Sequence, residues 1–217
     1  MKINNIKSTT LSLVCCIFLL AGLNSCSNMK FLKEGQLLYT GAEIKINNDT
    51  ISKKEKSALK DRLEENLTPK PNSTFFGLRP RLYIYNITKE PKKEKGLRHW
   101  LKYKIGEEPV LLSDVDREFN KKLVENYSEN KGYFNVNANY DTIVKNKKAK
   151  VEYEVKTGSR YMMSDIHFVK DSTAINGYIQ NIADKSVLQK GRPFDLDVIK
   201  FERERINNHL KENGYYY

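Results

Sequence analysis

Asp116-Arg-Glu-Phe-Asn-Lys-Lys-Leu-Val-Glu-Asn-Tyr-Ser-Glu-Asn-Lys-Gly-Tyr-Phe134 decides the reading of the fold, because the chain repeats it. Val198-Ile-Lys-Phe-Glu-Arg-Glu-Arg-Ile-Asn-Asn-His-Leu-Lys-Glu-Asn-Gly-Tyr-Tyr216 lies over it at a constant offset of 82 residues, Phe119 meeting Phe201. Val124 then meets Ile206, Asn126 meets Asn208, Gly132 meets Gly214 and Tyr133 meets Tyr215. Each copy follows a Gly and Pro pair, Gly106 with Pro109 and Gly191 with Pro193. A period of this size exceeds the roughly 20–50 residues of a solenoid repeat and points to tandem small domains. Within the first copy, Ser113 is the expected N-cap, and Asp195 serves in the second. Val115, Phe119, Leu123 or Val124, and Tyr127 recur every three to four residues, which predicts one core-facing stripe. Gly132 is the expected left-handed stop.

After the glycine the period changes to two. Tyr133 to Ile143 and Lys147 to Val155 read as strands, with Val151, Tyr153 and Val155 alternating against Lys150, Glu152 and Glu154. Ahead of the helix stand a strand, Ala42 to Asn47, and a helix from Ser52 to Leu67. Ser52 and Glu55 form a capping-box pattern there, and Leu59 and Leu63 face the core. The second copy offers a strand, Met162 to Val169, and a helix over roughly Ser172 to Lys185. Each unit is therefore strand, helix, helix, strand, strand: an α+β unit with two helices on one face of a three-stranded sheet. Residues 69–108 separate the two helices of the first unit as an insertion.

At the N-terminus, Lys2 and Lys7 precede an apolar run, Leu11 to Leu23, too short to span a bilayer. Leu23-Asn24-Ser25 before Cys26 resembles the lipobox of bacterial lipoproteins, with Asn24 a departure from its usual small or apolar residue. The resemblance implies cleavage after residue 25 and acylation of Cys26. Cys15 and Cys16 leave with the signal, so no thiol remains for a disulfide, a zinc site or catalysis. The formal charge falls from +11 to +9 on removal of the signal. For an exported chain that excess suits an anionic lipid surface or an acidic partner better than nucleic acid.

The element order, the helix-Gly-Tyr-Phe-strand signature and Val151-x-Tyr153-x-Val155-x-x-Gly158-x-x-Tyr161-x-x-x-Asp165-Ile166-x-Phe168 resemble POTRA domains, the periplasmic modules of the BamA/TamA outer-membrane assembly superfamily. With a lipobox ahead of them they are most similar to its TamL-type lipoproteins. The implied organisation is a signal peptide over 1–25, a tether over 26–35, a POTRA-like domain over 36–158 carrying the insertion 69–108, and an incomplete second domain over 159–217. The second is expected to be truncated because the sequence given stops where its closing hairpin would begin. The resemblance implies a non-enzymatic, lipid-anchored protein on the periplasmic side of the outer membrane, with no cofactor. Its partners would be a TamB-like protein and outer-membrane clients, held by strand addition at the edge strand that carries Tyr133, Asn135, Asn137 and Asn139. The alternative is a stand-alone outer-membrane lipoprotein that binds a small ligand or glycan.

No catalytic constellation stands out. His99, His167 and His209 have no paired-ligand spacing, and Glu64-Glu65 and Glu107-Glu108 are adjacent pairs whose side chains diverge. Residues 89–104 hold seven cations against two acids, together with the single tryptophan. Lys92, Lys93, Lys95, Arg98, Trp100 and Lys102 are accordingly a candidate membrane-surface patch, since aromatic rings and cations suit the headgroup region.

Overall fold

The structure is a computed structural model that describes residues 28–216; the segment read as a signal peptide and lipobox, with Cys26, lies outside the described residues. It is α+β. Strand β1 (Leu38–Asn47) leads to helix α1 (Lys53–Asn66), then to α2 (Pro80–Ile87) and α3 (Leu97–Trp100), which continues as one π-helical turn, Leu101–Ile105. Helix α4 (Arg117–Asn130), strands β2 (Asn137–Lys145) and β3 (Lys148–Lys156), and helices α5 (Ala174–Gln180) and α6 (Leu196–Glu212) follow.

The sheet order is β1-β3-β2. Partners of β1 and β3 rise together in number (Leu38 N–H to Lys147 O, Thr40 Oγ1 to Ala149 O, Lys45 to Glu152), so these strands are parallel. β2 and β3 form a hairpin whose two turn residues, Asn146 and Lys147, both have positive φ. That is the primed turn whose twist matches paired strands. β3 is central and alternates strictly, with Ala149, Val151, Tyr153 and Val155 buried and the charged residues between them outward.

The chain divides into two compact units. One takes the described residues up to Gly41, Pro69–Val115 and Thr142–Lys150; the other takes Ala42–Thr68, Asp116–Asp141 and Val151 onward. Val151–Lys156 and the described segment after it fall in the same unit. In the first unit, residues 28–31 form a 3₁₀ turn. The insertion has its own core around Leu82, which is fully buried. In the second unit, α1 buries Leu59 and Leu63.

Three expectations are corrected here. The helix α4 is capped by Asp116, whose carboxylate accepts from the Phe119 N–H, and not by Ser113. Its buried stripe is Asn120, Val124 and Ser128, while Phe119 is 52% exposed. A rotation of one residue, about 100° on a helix, puts polar side chains inward because they have backbone partners there. Third, the segment 162–169 is no strand: only Met162 makes a bridge, to Pro193. β1 is held along its length by β3, and among the described residues no equivalent strand lies beside 162–169.

The offset of 82 recurs in backbone geometry. Tyr39 N–H donates to Val110 O and Leu112 N–H to Leu37 O; Met163 N–H donates to Arg192 O and Phe194 N–H to Tyr161 O. Residues 110, 111 and 112 thus do what 192, 193 and 194 do, down to the antiparallel bridges Leu38 to Leu111 and Met162 to Pro193. Both long helices end in the same motif. Gly132 and Gly214 have φ of 90°. Tyr133 and Tyr215 N–H reach back to the carbonyls of Ser128 and Leu210, giving a Schellman stop at each end. Buried polar residues coincide too: Asn120 accepts from Thr68 N–H, and Glu202 accepts from Val187 N–H. In each copy, one side chain at the same helix position pins the chain that leaves the preceding helix.

Candidate functional site

β2 lies on the outside of the sheet. With a two-residue turn at 146 and 147, the N–H and C=O groups of Ala138, Tyr140, Thr142 and Val144 point away from β3. The Ala138 N–H is taken by the Glu125 carboxylate at 2.9 Å, which closes the start of the edge with a side chain of α4. Tyr140 is 38% exposed and Val144 51% exposed. No other strand among the described residues adjoins this side of β2. Such an edge can accept an extended segment through backbone bonds.

The expected edge residues divide. Asn137 and Asn139 are on β2 and exposed, and the Asn139 amide donates to Asn137 Oδ1 at 3.4 Å. Tyr133 and Asn135 are not on the edge. Tyr133 is 2% exposed and its hydroxyl donates to Glu55 at 2.5 Å. Burial first, and then that bond, raise its pKa well above the usual tyrosine value. Asn135 occupies a left-handed turn position at φ 59°, which Asn tolerates. The Schellman turn needs residues 132–136 to redirect the chain, so the strand starts later than the alternation of residue types suggests.

The candidate surface patch divides as well. Lys92, Lys93, Lys95 and Arg98 are exposed. They line, with Pro91 and Leu97, an open groove of about 390 Å³. Trp100 is half-exposed. Lys102 is not part of this surface: it is 9% exposed, its ammonium meets Glu90 at 2.6 Å, and it stands 4.8 Å over the Tyr85 ring. Glu90 also accepts from the Tyr103 hydroxyl. That bond chiefly pushes the phenol up to about 12, while the Lys102 and Tyr103 bonds hold the Glu90 carboxyl below its usual range. The π-turn that sets Lys102 inward is sharpened by Gly106, where a Cβ would lie 2.4 Å from the Lys102 carbonyl.

The remaining candidates carry structure. Glu64 accepts from the Ile44 N–H, and Glu107 accepts from Ser73. His99 packs on Tyr103, and His209 lies 6.4 Å from Tyr178. Among the described residues no group of three or more His, Cys, Asp or Glu is placed to hold a metal, and no helix is long and apolar enough to cross a membrane. Sequence reasoning missed Asn28, Asn72 and Glu125, each significant only through a partner elsewhere in the chain. No family model matches the chain, and no curated protein or solved structure matches it either.

Proposed function

We propose that this chain is the lipid-anchored, periplasm-facing binding region of an outer-membrane assembly protein of the BamA/TamA superfamily, built from tandem POTRA-like units. The recurrence at an offset of 82 residues is the observation that carries the reading: the same backbone bonds, glycine stops and pinning side chains serve two copies. Acylation of Cys26, read from the lipobox, anchors the region to the membrane. A TamB-like protein and outer-membrane clients are its partners, and they add an extended strand to β2.

The strand-addition step rests on the outward backbone groups of Tyr140 and Val144. Proline at residue 140 removes an outward N–H and leaves the bonds from Asp141 to β3 in place. Tyr140→Pro is expected to abolish binding of a labelled peptide with alternating apolar residues, taken from a barrel strand, while the melting temperature changes little. Anisotropy titration measures the first and circular dichroism the second. Binding unaffected by Tyr140→Pro and by Val144→Pro would sink strand addition at β2.

A further inference from the structure

The insertion carries a feature that neither strand addition nor the fold uses. Phe75 and Leu78 exchange two backbone bonds, 2.8 and 3.0 Å, closing a tight turn over Phe76 and Gly77. Phe76 has φ 48°, a left-handed position that a bulky residue adopts only when its surroundings enforce it. At that apex Phe76 is 90% exposed and Phe75 is 67% exposed, their rings edge-to-face with centroids 4.6 Å apart. The base of the turn is pinned. Asn72, 1% exposed, donates to Glu108 O at 2.7 Å and accepts from the Val110 N–H at 3.0 Å; Ser73 is bound by Glu107. A firmly held loop thus presents two bare aromatic rings, an arrangement that marks an interaction site.

The N-terminal end of the described chain indicates what covers them. Asn28 is 6% exposed, and its amide donates to Arg79 O at 3.3 Å while its carbonyl accepts from Asn86 at 3.2 Å. Phe31 meets the Tyr83 ring at 6.3 Å. The chain is therefore docked on α2 of the insertion two residues after Cys26, and two residues span at most about 7 Å. We propose that the insertion is a bilayer-docking platform. The acyl chains of Cys26 hold it against the membrane, the Phe75-Phe76 tip enters the interface, and Lys92, Lys93, Lys95 and Arg98 contact anionic headgroups. The proposal rests on the lipidation reading above. Charge complementarity favours a bilayer over a protein pocket, because the exposed cations flank exposed Leu97 and Trp100, the combination that headgroups and the acyl boundary accommodate together.

The acylated full chain, reconstituted into vesicles with and without phosphatidylglycerol, tests this. Trp100 is the only tryptophan. Its emission is expected to shift blue and to be quenched by brominated acyl chains when phosphatidylglycerol is present, and to lose both effects in high salt. One variant changes Lys92, Lys93, Lys95 and Arg98 to Gln; a second carries Phe75→Ser and Phe76→Asn, since Asn accepts the left-handed turn. The first is expected to lower the ratio of docked to undocked chain by about tenfold or more, as the loss of four basic contacts implies, and the second to lower it by about tenfold through the lost insertion of two aromatic rings. Amide exchange at Phe75 and Leu78 reports whether the second variant keeps its turn, and protection of those amides by lipid in the unaltered chain is a second readout. Trp100 emission and Phe75 exchange both insensitive to lipid charge would overturn the platform. Intact-mass measurement on the same sample separates the two readings: an unacylated chain that still docks on anionic vesicles removes the anchor and keeps the surface.

Discussion

At the scale of single residues, a buried polar side chain with two backbone partners stands where the sequence pattern expects a large apolar one. Asn120 is fully buried, accepting from the Thr68 N–H at 3.0 Å and donating to Thr68 O at 2.6 Å. Asn120→Ala is expected to cost about 1–3 kcal/mol, because it removes both side-chain bonds to the Thr68 backbone from a fully buried position. Phe119→Ala, one residue away and half-exposed, is expected to cost about 1 kcal/mol or less. Chemical denaturation of the two variants checks the order. The glycine stops differ in the same legible way. Both need φ near 90°, but a Cβ at Gly132 would lie 2.9 Å from the Phe194 carbonyl, whereas Gly214 faces open space. Gly132→Ala is therefore expected to lower the melting temperature clearly more than Gly214→Ala. Glu202 adds a pH dependence. Its hydrogen bond to Arg205 chiefly holds the carboxyl below the ordinary carboxylate value, against the opposing effect of burial. A depressed folded pKa contributes stability that is present above the unfolded value and is lost as pH falls through the folded one. Melting temperature against pH should thus fall less steeply below about pH 4.5 for Glu202→Gln than for the unaltered chain.

At the scale of elements, periodicity located the helices Lys53–Asn66, Arg117–Asn130 and Leu196–Glu212 and the strands of the hairpin, but not the orientation of α4 nor the helices within the insertion. Val151, Tyr153 and Val155 alternate as buried residues because a central strand leaves one face no alternative. On α4, however, the pattern through Phe119 and Tyr127 competes with Asn120, Val124 and Ser128, and only long-range bonds decide between them. Residue hydrophobicity cannot show that Asn120 meets a backbone 52 positions away. The same blindness set β2 too early, since the Schellman turn takes the residues after Gly132 out of the extended run, and it placed Lys102 on the surface when a π-turn aims it inward. Segment 162–169 reads as a strand by composition, yet a strand needs a neighbour to pair with, and there only Met162 bridges. Hydrogen exchange should accordingly find amides of Val151–Val155 protected by orders of magnitude more than those of 164–169. Similar protection in both segments would contradict this difference.

For the molecule as a whole, contacts distant in sequence carry the organisation. The parallel pairing of β1 with β3 joins residues 109 apart, as Thr40 with Ala149, so closing the sheet waits on a long loop. Folding should be slow for a chain of this size, in the range of milliseconds to seconds, even though its helices form quickly. The insertion sits within that loop, and its own contacts predict how it behaves there. Asn28, Asn72 and Tyr83 tie 69–108 to the N-terminal turn and to the strand-like segment before α4. None of the bonds joining Leu37–Tyr39 to Val110–Leu112 uses a residue of α2 or α3. Replacing residues 74–105 by a short glycine linker should therefore leave Val151–Val155 protected from exchange, while the amides of 28–32 lose the α2 surface on which they dock. Stopped-flow refolding of the shortened chain should be modestly faster, since halving a loop changes its closure by only about 0.6 kcal/mol and this excision removes less than half. Collapse of protection throughout β3 would instead make the insertion part of one cooperative core, and a membrane platform could no longer be separated from the sheet it accompanies.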